Sequence, residues 1–571
     1  MKIDGGETFA SMLEREGVEN VFGLHGGHID PIFQACRDHG IRIIDTRHEQ
    51  AAGHMADAWA RTTGRPGVAV VTAGPGVTDI VTAVANAYVD CVPMLVVGGR
   101  HALADEELLP LQELHGLPLM ESITKWSRLV RDPERIPEYV SMAFRQATTG
   151  RPGPVFLEIP EDVLAARVEE EAVRYPEVCR PEAAPAPSPE AVDKALTILS
   201  EAERPVILAG RGVWFARGTD ELREFAELTG IPVCANGMTR GAVPEDSALG
   251  AGSFMVAGRG IALAGFPDAA LLLGGRLGMF TGGRQSIIPT QAKVIQVDIE
   301  GEEIGRGRDI DVGIVADCRE TLRALIRQAG GRSFPRRDEW ADKLRQAQAA
   351  VRGMFADALD ADRHPIHPYR LAHEVSAFIA DKGTLAADGG ETFVWAELAL
   401  SARRPGRYLG HGYLGCLGTG IPFGLAAKLA HPEEQVLVLT GDGSVGLNFS
   451  EFDTAVRHNL PIVVVINNDQ AWGMCKHEQI VRLGEDRIVG TELGPTRYEK
   501  AAEAFGVYAE FVEDGSEIIP AVERAFASGR PACVNVMTDP DAVSPYVQAS
   551  GRREERPWAE AIARRRRAAV Q

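Results

Sequence analysis

Two polar segments of this chain have the residue types and spacing to hold a cation against a phosphate. Gly441-Asp442-Gly443-Ser444 ends one apolar run, and Asn467-Asn468 ends another about 25 residues later. Carboxylate and amide oxygens are hard ligands that suit Mg²⁺ or Ca²⁺. The glycines allow a phosphate to come close to the backbone. The pattern therefore predicts a site for a divalent cation and a diphosphate.

The elements around these segments favour a binding site over a simple turn. Each apolar run is typical of a buried parallel strand. A helix-like stretch over 451–459 lies between them, which completes a strand–helix–strand unit. Open parallel sheets bind ligands at the carboxyl ends of their strands, and that is where Asp442 and Asn468 fall. A lone Gly-Asp-Gly would more often be only a turn.

A second candidate is an acid near the N-terminus. The stretch from Asp45 to Asp57 is interpreted as a strand end that enters an amphipathic helix, with Glu49 at the helix start. Taken alone, Glu49 would be a solvated charge in the first turn of a helix. A buried carboxyl with a raised pKa at this position could instead transfer a proton near neutral pH.

Length and composition restrict the class of protein. A chain of 571 residues is too long for one core, and three domains are expected. A net charge of −20 argues against a nucleic-acid or anionic-membrane partner. No apolar run has transmembrane length, and no signal peptide is expected. The eight scattered cysteines form no CxxC pair, which is typical of reduced thiols in a cytoplasmic protein.

The chain is predicted to be an α/β protein of three domains, each a mostly parallel sheet flanked by helices. A linker over 171–187 is rich in Pro, Ala and Glu, and it ends at a helix start with Ser188 as N-cap and Pro189 at the first position. A charged segment over 346–368 precedes the third unit. The predicted domains are 1–170, 188–345 and 366–545, followed by a basic tail over 546–571. Predicted strands include 67–72, 93–98, 154–159, 206–209, 271–274 and 294–298.

With the Gly-Asp-Gly…Asn-Asn pair and the Glu49 segment together, the chain resembles the thiamine-diphosphate (ThDP) enzymes. The resemblance implies that Asp442, Asn468 and the main-chain oxygen of Gln470 hold Mg²⁺. Glu49 would meet N1′ of the aminopyrimidine, and Leu417 would wedge the cofactor into its bent shape. It also implies an oligomer, at least a dimer and expected to be a tetramer, in which one subunit supplies the glutamate and another the diphosphate site. Further implied cofactor contacts are Gly74, Pro75, Gly390, Glu391, Cys416, Gly441, Gly443, Ser444, Ala471, Trp472 and Gly473.

Within these enzymes the chain is most similar to the benzaldehyde lyase and 2-hydroxyacyl-CoA lyase branch, over 22–30, 43–49, 123–126 and 411–415. By that resemblance His28 and Gln112 orient the substrate hydroxyl and relay its proton. The same resemblance makes His411, Phe393 and Met474 part of the substrate pocket.

The chain departs from the aldehyde lyase where the substrate ring should lie. Glu161 replaces a tryptophan and Phe393 replaces a tyrosine, so an aromatic pocket is not expected. Glu492 is predicted to be a catalytic residue that faces the substrate, with a plain surface charge as the alternative.

The central domain has a weaker signal for a nucleotide. Asp298 and Asp317 follow strand ends and suit ribose hydroxyls, while Arg151, Arg211 and Arg276 could reach a diphosphate. By resemblance, CoA-processing relatives hold ADP here, acetolactate synthases hold FAD, and benzaldehyde lyase needs neither. The alternative is a vestigial Rossmann-like domain with solvated strand ends.

The C-terminal tail allows two interpretations. Its arginines, ending in four consecutive ones at 564–567, indicate either a solvated terminus or a lid over a phosphorylated substrate such as coenzyme A.

The predicted function is a ThDP- and Mg²⁺-dependent lyase that cleaves a 2-hydroxyacyl-CoA to formyl-CoA and an aldehyde or ketone, and runs backward as a carboligase. One alternative is an acyloin lyase on free aldehydes, and another is a pyruvate-decarboxylating enzyme like acetolactate synthase. A non-catalytic ThDP- or nucleotide-binding scaffold is the third, against which the intact Glu49, Asp442 and Asn468 argue.

Overall fold

The computed structural model describes residues 1–178, 180–181, 183–278, 281 and 287–551. These residues form three six-stranded parallel sheets, one for each domain, with helices on their faces. The predicted α/β class is thereby confirmed. The basic tail beyond Gly551 lies outside the described residues.

Domain one has the strand order β3-β2-β4-β5-β7-β6. Its strands are apolar on both faces because helices cover both, so runs such as β4 are wholly buried. A two-stranded antiparallel pair, β1 with β8, ties the N-terminus to the end of the domain. The elements are β1 (Lys2–Ile3), α1 (Gly5–Arg15), β2 (Asn20–Leu24), α2 (Asp30–Asp38), β3 (Arg42–Asp45), α3 (Glu49–Thr63), β4 (Gly67–Val71), α4 (Pro75–Asp79), α5 (Val81–Val89), β5 (Met94–Arg100), α6 (Gly116–Glu121), β6 (Trp126–Leu129), α7 (Ile136–Thr148), β7 (Pro154–Pro160), α8 (Glu161–Ala165) and β8 (Val168–Glu169).

Domain two begins where the serine–proline signal predicts, since Ser188 accepts a hydrogen bond from the backbone N–H of Ala191 and Pro189 opens the helix. Its strand order is β11-β10-β9-β12-β13-β14. The elements are α9 (Pro189–Glu201), β9 (Pro205–Ala209), α10 (Arg211–Phe215), α11 (Thr219–Thr229), β10 (Val233–Ala235), β11 (Gly250–Ser253), α12 (Phe254–Ala264), β12 (Ala269–Leu273), β13 (Lys293–Asp298), β14 (Val312–Val315), α13 (Cys318–Ala329) and α14 (Asp338–Gly353).

The last helix of domain two runs past the predicted domain end at 345. The segment predicted as a charged linker over 346–368 therefore starts inside α14. This helix is amphipathic, and its apolar face, with Trp340, Leu344 and Val351, is buried. The charged outer face of that helix is what resembles a linker in the sequence.

Domain three has the strand order β16-β15-β17-β18-β20-β19. Its elements are α15 (Pro368–Ile379), β15 (Gly383–Ala387), α16 (Glu391–Ala399), β16 (Tyr408–Gly410), α17 (Gly420–Ala430), β17 (Gln435–Gly441), α18 (Asp442–Val445), α19 (Glu451–Arg457), β18 (Val463–Asn468), α20 (Gly473–Leu483), α21 (Tyr498–Glu503), β19 (Tyr508–Val512), α22 (Ile518–Ala527), β20 (Ala532–Met537) and α23 (Pro545–Ser550). Among the described residues no helix combines the length and apolar character needed to span a membrane.

Domains one and three share a hydrophobic core through α3 and α17. Their apolar side chains belong to one buried cluster, and the ring of His54 meets that of Phe423 edge-on at 6.0 Å between centroids. A buried chain of charges joins all three domains at the side of this core. Arg61 pairs with Asp57 at 2.7 Å and Asp90 at 2.9 Å, and Asp90 also pairs with Arg211 of domain two at 2.9 Å. Arg61 reaches domain three by donating to the carbonyl of Gly410 at 3.1 Å.

Candidate active site

The carboxyl edge of the domain-three sheet opens into a cavity of about 310 Å³. The ends of four neighbouring strands, β16, β15, β17 and β18, supply its walls, as expected for an open parallel sheet. The predicted residues that line it are Gly390, Glu391, Phe393, His411, Leu417, Gly441, Asp442, Gly443, Ser444, Ala471, Trp472, Gly473 and Met474. The fold thus brings most of the predicted cofactor contacts together around one cavity.

Asp442 is the buried anion of this cavity. It is 2% exposed, and its Oδ2 has no hydrogen-bond partner among the described residues. Burial raises its pKa, and the nearby carboxylate of Asp469 raises it further. Burial likewise raises the pKa of Asp469. A buried carboxylate with a free oxygen, beside a half-buried one, is a fitting environment for a hard cation.

Asn468 and Gln470 lie beside this cavity without lining it. The amide of Asn468 donates to Asn535 Oδ1 at 3.0 Å, and its own Oδ1 accepts from the N–H of Gln470 at 3.2 Å. The Gln470 carbonyl accepts from the N–H of Leu493 at 2.7 Å. Each keeps a lone pair for a cation, but both are already anchored in the protein.

Asn467 and Asp469 line the cavity, and the sequence prediction missed both. Asn467 donates to Thr392 Oγ1 at 2.9 Å, and its own Oδ1 is buried without a partner. The sequence feature that could have identified them as site residues is their position on either side of Asn468. Within the described residues no group of three His, Cys, Asp or Glu side chains has metal-binding geometry. The predicted ligand set, with one carboxylate, one amide and one carbonyl, would not form such a group.

Glycines bring the backbone close to large side chains at the cavity wall. A Cβ at Gly443 would lie 2.6 Å from the ring of Trp472, and one at Gly390 would lie 2.9 Å from Met474. Alanine at either position would clash with these side chains, which line the cavity. The two glycines therefore keep the space open beside Asp442.

Glu391 is an anchor for the C-terminal part of the chain. It is 6% exposed, accepts a hydrogen bond from the N–H of Ser544 at 2.7 Å, and lies 2.5 Å from Nδ1 of His477. Burial alone would lower the pKa of His477, but the Glu391 carboxylate raises it. This side chain therefore fixes α20 and the start of α23 at the cavity.

Three other predicted residues of domain three have separate environments. The rings of Phe393 and His411 lie 4.3 Å apart in the cavity wall. Cys416 is buried behind the wall, 3.6 Å from Nε2 of His54, and burial raises its thiol pKa to about 12. Glu492 is exposed, and only its backbone approaches the site, by pairing with Ala471.

The carboxyl edge of the domain-one sheet carries the other predicted group. Along β3, β2, β4, β5 and β7, in their order in the sheet, the residues that follow the strand ends are Glu49, His28, Gly74, Gln112 and Glu161. His28 lies 3.3 Å from Thr72 Oγ1, and its Nε2 lies 3.9 Å from Glu161. Gln112 packs against Gly74, with φ values of 63° and 59° respectively, and Pro75 opens α4 beside them.

Glu49 starts α3 and is 6% exposed. Burial raises the pKa of its carboxyl, and the charge of Asp79 adds to this shift. None of the domain-one residues in this group lines the domain-three cavity of its own chain. The proton-transfer group and the cation site therefore occupy two separate surfaces of one chain.

Domain two borders a larger cavity of about 820 Å³, also at the carboxyl edge of its sheet. The five predicted nucleotide residues, Arg151, Arg211, Arg276, Asp298 and Asp317, all line it. Burial raises the pKa of Asp298 to about 6. Asp317 caps α13, because its Oδ1 accepts the N–H groups of Arg319 and Glu320.

The three predicted arginines of this cavity already have partners. Arg211 pairs with Asp90 at 2.9 Å and Arg151 with Glu303 at 3.1 Å. Arg276 donates to the carbonyl of Val89, and its guanidinium lies 4.9 Å from the Tyr413 ring. Tyr413 lines both this cavity and the one in domain three, so the two spaces share a wall.

The fold and these two carboxyl edges define a class: a three-domain α/β enzyme that binds a diphosphate cofactor. Residues 3–119 match the N-terminal TPP binding domain of thiamine pyrophosphate enzymes, 192–325 the central domain and 388–536 the C-terminal TPP binding domain. The chain belongs to the thiamine pyrophosphate enzyme family, as its sequence motifs predict.

The relatives within the family are named either as acetolactate synthases or as 2-hydroxyacyl-CoA lyases. The chain is 36% identical over 544 residues to "Acetolactate synthase large subunit IlvG" of Mycobacterium tuberculosis, covering 95% of this chain and 97% of that one. It is 33% identical over 564 residues to "Probable acetolactate synthase large subunit" of Methanocaldococcus jannaschii, covering 96% and 94%. It is also 33% identical over 540 residues to "2-hydroxyacyl-CoA lyase 2" of Mus musculus, covering 88% and 84%.

Proposed function

We propose that this enzyme is a ThDP- and Mg²⁺-dependent carbon–carbon lyase that cleaves a 2-hydroxyacyl-CoA to formyl-CoA and an aldehyde or ketone, and joins them in reverse. The observation that carries the choice of substrate is the wall of the domain-three cavity. Its described lining contains no lysine or arginine. A 2-oxo acid such as pyruvate would have no cation for its carboxylate there, whereas a thioester needs none.

The residues of the cavity fit the proposed cofactor. Mg²⁺ would be held by Asp442, Asn468 and the carbonyl of Gln470, with Asp469 adding negative charge nearby. The free, buried Oδ2 of Asp442 supports this assignment. When bound, ThDP supplies a nucleophilic carbon that adds to a carbonyl and then accepts its bonding electrons.

Glu49 would complete the site from a second copy of the chain. Burial raises the pKa of its carboxyl, which favours the protonated form, and this carboxyl would exchange a proton with a ring nitrogen. His28 and Gln112 lie on the same edge and would orient the substrate hydroxyl. Because this edge does not line the cation cavity of its own chain, a homodimer or a larger assembly is the arrangement that joins them.

The central cavity is proposed to bind an ADP group, either as a free nucleotide or as part of coenzyme A. Asp298 at a strand end is suited to ribose hydroxyls. Arg151, Arg211 and Arg276 would have to share their charge with the partners they already have.

Acetolactate synthesis is the second candidate, favoured by the names of the relatives with 36% and 33% identity. The two candidates are separated by incubating the enzyme, ThDP and Mg²⁺ with 2-hydroxyacyl-CoAs, benzoin or pyruvate, and identifying the products. Formyl-CoA and a carbonyl product support the lyase. Acetolactate from pyruvate, together with a yellow purified protein, would replace it with the synthase.

The cation site has its own test. Asp442→Ala should abolish Mg²⁺-dependent retention of ThDP, measured by calorimetric titration at fixed Mg²⁺ concentration, while circular dichroism shows an unchanged fold. Glu227→Ala, on an exposed face of α11, is the control and should bind as the parent does. Parental ThDP affinity in Asp442→Ala would rule out this residue as the ligand.

A further inference from the structure

The domain-one edge of the proposed site is acidic at the point where a substrate would enter. Glu161 is the first residue after β7, and its side chain is 45% exposed. Its Oε2 lies 3.9 Å from Nε2 of His28, the residue proposed to orient the substrate. The carboxylate therefore shares the space that the reacting end of a substrate must reach.

Two arginines at this edge have acidic partners of their own. Arg100 is 4% exposed and pairs with Glu158 at 2.9 Å and with Glu106 at 2.5 Å. Arg47, beside Glu49, pairs with Asp453 at 3.8 Å. Among the described residues Glu161 forms an ion pair with His28 and with no lysine or arginine, so an incoming carboxylate would meet its negative charge.

The other half of the site does not compensate. The described lining of the domain-three cavity contains Glu391, Asp442 and Asp469 and no lysine or arginine. A bound divalent cation would neutralise part of that charge at the diphosphate, away from the substrate. Both halves therefore disfavour an anionic reacting group.

We infer that Glu161 is a specificity-determining residue that rejects substrates with a carboxylate next to the reacting carbonyl. The substrate class that remains has an uncharged reacting end, such as a thioester, an aldehyde or a ketone. This inference rests on the proposed function, because it assumes that the domain-one edge faces the cofactor cavity of a second copy.

Glu161 could also have a purely structural role, which must be distinguished from substrate selection. An acid in the first turn of a helix interacts favourably with the helix dipole, and Glu161 opens α8. Glu161→Gln keeps the size and removes the charge, so it changes stability little. A purely structural role would alter all substrates equally, whereas a charge filter alters only the anionic one.

The test uses two substrates with the same ketone, pyruvate and its neutral methyl ester. With the ThDP- and Mg²⁺-loaded enzyme and formyl-CoA as the donor, kcat/KM is measured for ligation of each ketone, in which the formyl carbon bonds to the ketone carbon and the formyl proton ends on the new hydroxyl. The parent should prefer the ester. Glu161→Gln should raise kcat/KM for pyruvate about three- to tenfold, with less than about a twofold change for the ester, and added salt should reduce the difference.

Two further variants sharpen the result. Glu161→Lys should raise the pyruvate value more than Glu161→Gln does, and Glu227→Gln, the same charge change on α11, should alter neither substrate. An unchanged ratio in both Glu161 variants would overturn the inference. If no carbonyl compound is consumed by a parent enzyme that binds ThDP, it is the proposed function that fails.

Discussion

At the scale of single residues, Glu49 has the clearest chemical role. It combines 6% exposure with a raised pKa at the start of a helix. Glu49→Gln keeps the shape and removes the transferable proton. The variant should bind ThDP as the parent does, and turnover should fall by about two orders of magnitude or more.

Hydrogen–deuterium exchange at C2 of bound ThDP measures the affected step directly. Exchange in Glu49→Gln should be slowed to the same extent as turnover. Adding Gln50→Glu to the Glu49→Gln variant should not restore exchange, because residues 49 and 50 point to different sides of the helix. Exchange at the parental rate would show that another group activates the cofactor.

A second residue, Glu451 of α19, predicts a pH dependence of stability. It is fully buried, accepts the N–H of Arg47 at 3.1 Å, and burial raises its pKa to about 7. The folded state therefore binds a proton more tightly than the unfolded state does, so this residue lowers stability as pH rises from about 5 to 7. Glu451→Gln should remove up to roughly 3 kcal/mol of the change in the free energy of unfolding over this pH range.

The measurement is urea unfolding of parent and variant at several pH values. The difference between them should grow in favour of the variant as pH rises from about 5 to 7 and level off above that. A difference that is constant with pH would mean that Glu451 has an ordinary pKa in the folded protein.

At the scale of elements, the loop between β5 and α6 stands out. Its Leu108, Leu109 and Leu111 are 71%, 89% and 79% exposed. Glu107, Leu109 and Gln112 all have positive φ, which is costly for residues other than glycine. Since Gln112 is held against Gly74, the loop is fixed with its leucines outward.

We expect this loop to contact the second copy of the chain that completes the site. Leu111→Asp should weaken the dimer about tenfold or more, because burying a leucine contributes about 1.5–3 kcal/mol. Sedimentation velocity over a range of protein concentrations, with ThDP and Mg²⁺, measures this effect. Leu263→Asp, at a 57% exposed position of α12, is the matched control. Equal dimer affinity in both variants would place the loop outside the interface.

The elements that the sequence predicted best are those with a local cause. Ser188 and Pro189 predict a helix start, because serine caps a helix N-terminus and the proline ring fixes a helical φ. The structure has that helix. Apolar runs that end in Gly-Asp-Gly and Asn-Asn are buried strands, as their composition indicates. These features depend on a few neighbouring residues, so they are visible in the chain alone.

Features that depend on distant residues were not predictable in this way. Asn467 and Asn468 are neighbours on β18, and adjacent strand residues face opposite sides, so the chain alone does not say which one lines the cavity. The pairing of Arg211 with Asp90 joins two domains and has no local signal.

At the scale of the whole molecule, three sheets present three carboxyl edges with different charges. Domain three offers unpaired acids for a cation, domain one offers a buried acid and His28, and domain two offers paired arginines. Tyr413 separates the central cavity from the cofactor cavity. A nucleotide group in the centre would therefore lie one side chain away from the reacting site.

The basic tail is the remaining source of cations for a phosphorylated substrate. Residues 552–571, outside the described part of the chain, contain seven arginines and three glutamates. The described part ends with α23 and Gly551. Ala542 and Tyr546, just before that end, line the cofactor cavity, so the last described helix borders the site.

Truncation after Gly551 separates the two leading lyase interpretations. If the arginines hold the phosphates of coenzyme A, KM for a 2-hydroxyacyl-CoA should rise about tenfold or more, and the difference from the parent should shrink as salt screens the pairing. Cleavage of a small free acyloin should change less than about twofold, since it has no phosphates. Replacing the seven arginines by glutamine in the full-length chain is the matched control for chain length and should reproduce the truncation. Equal losses on both substrates would identify the tail as a general cover, and no loss on either would make the free-aldehyde lyase the better assignment.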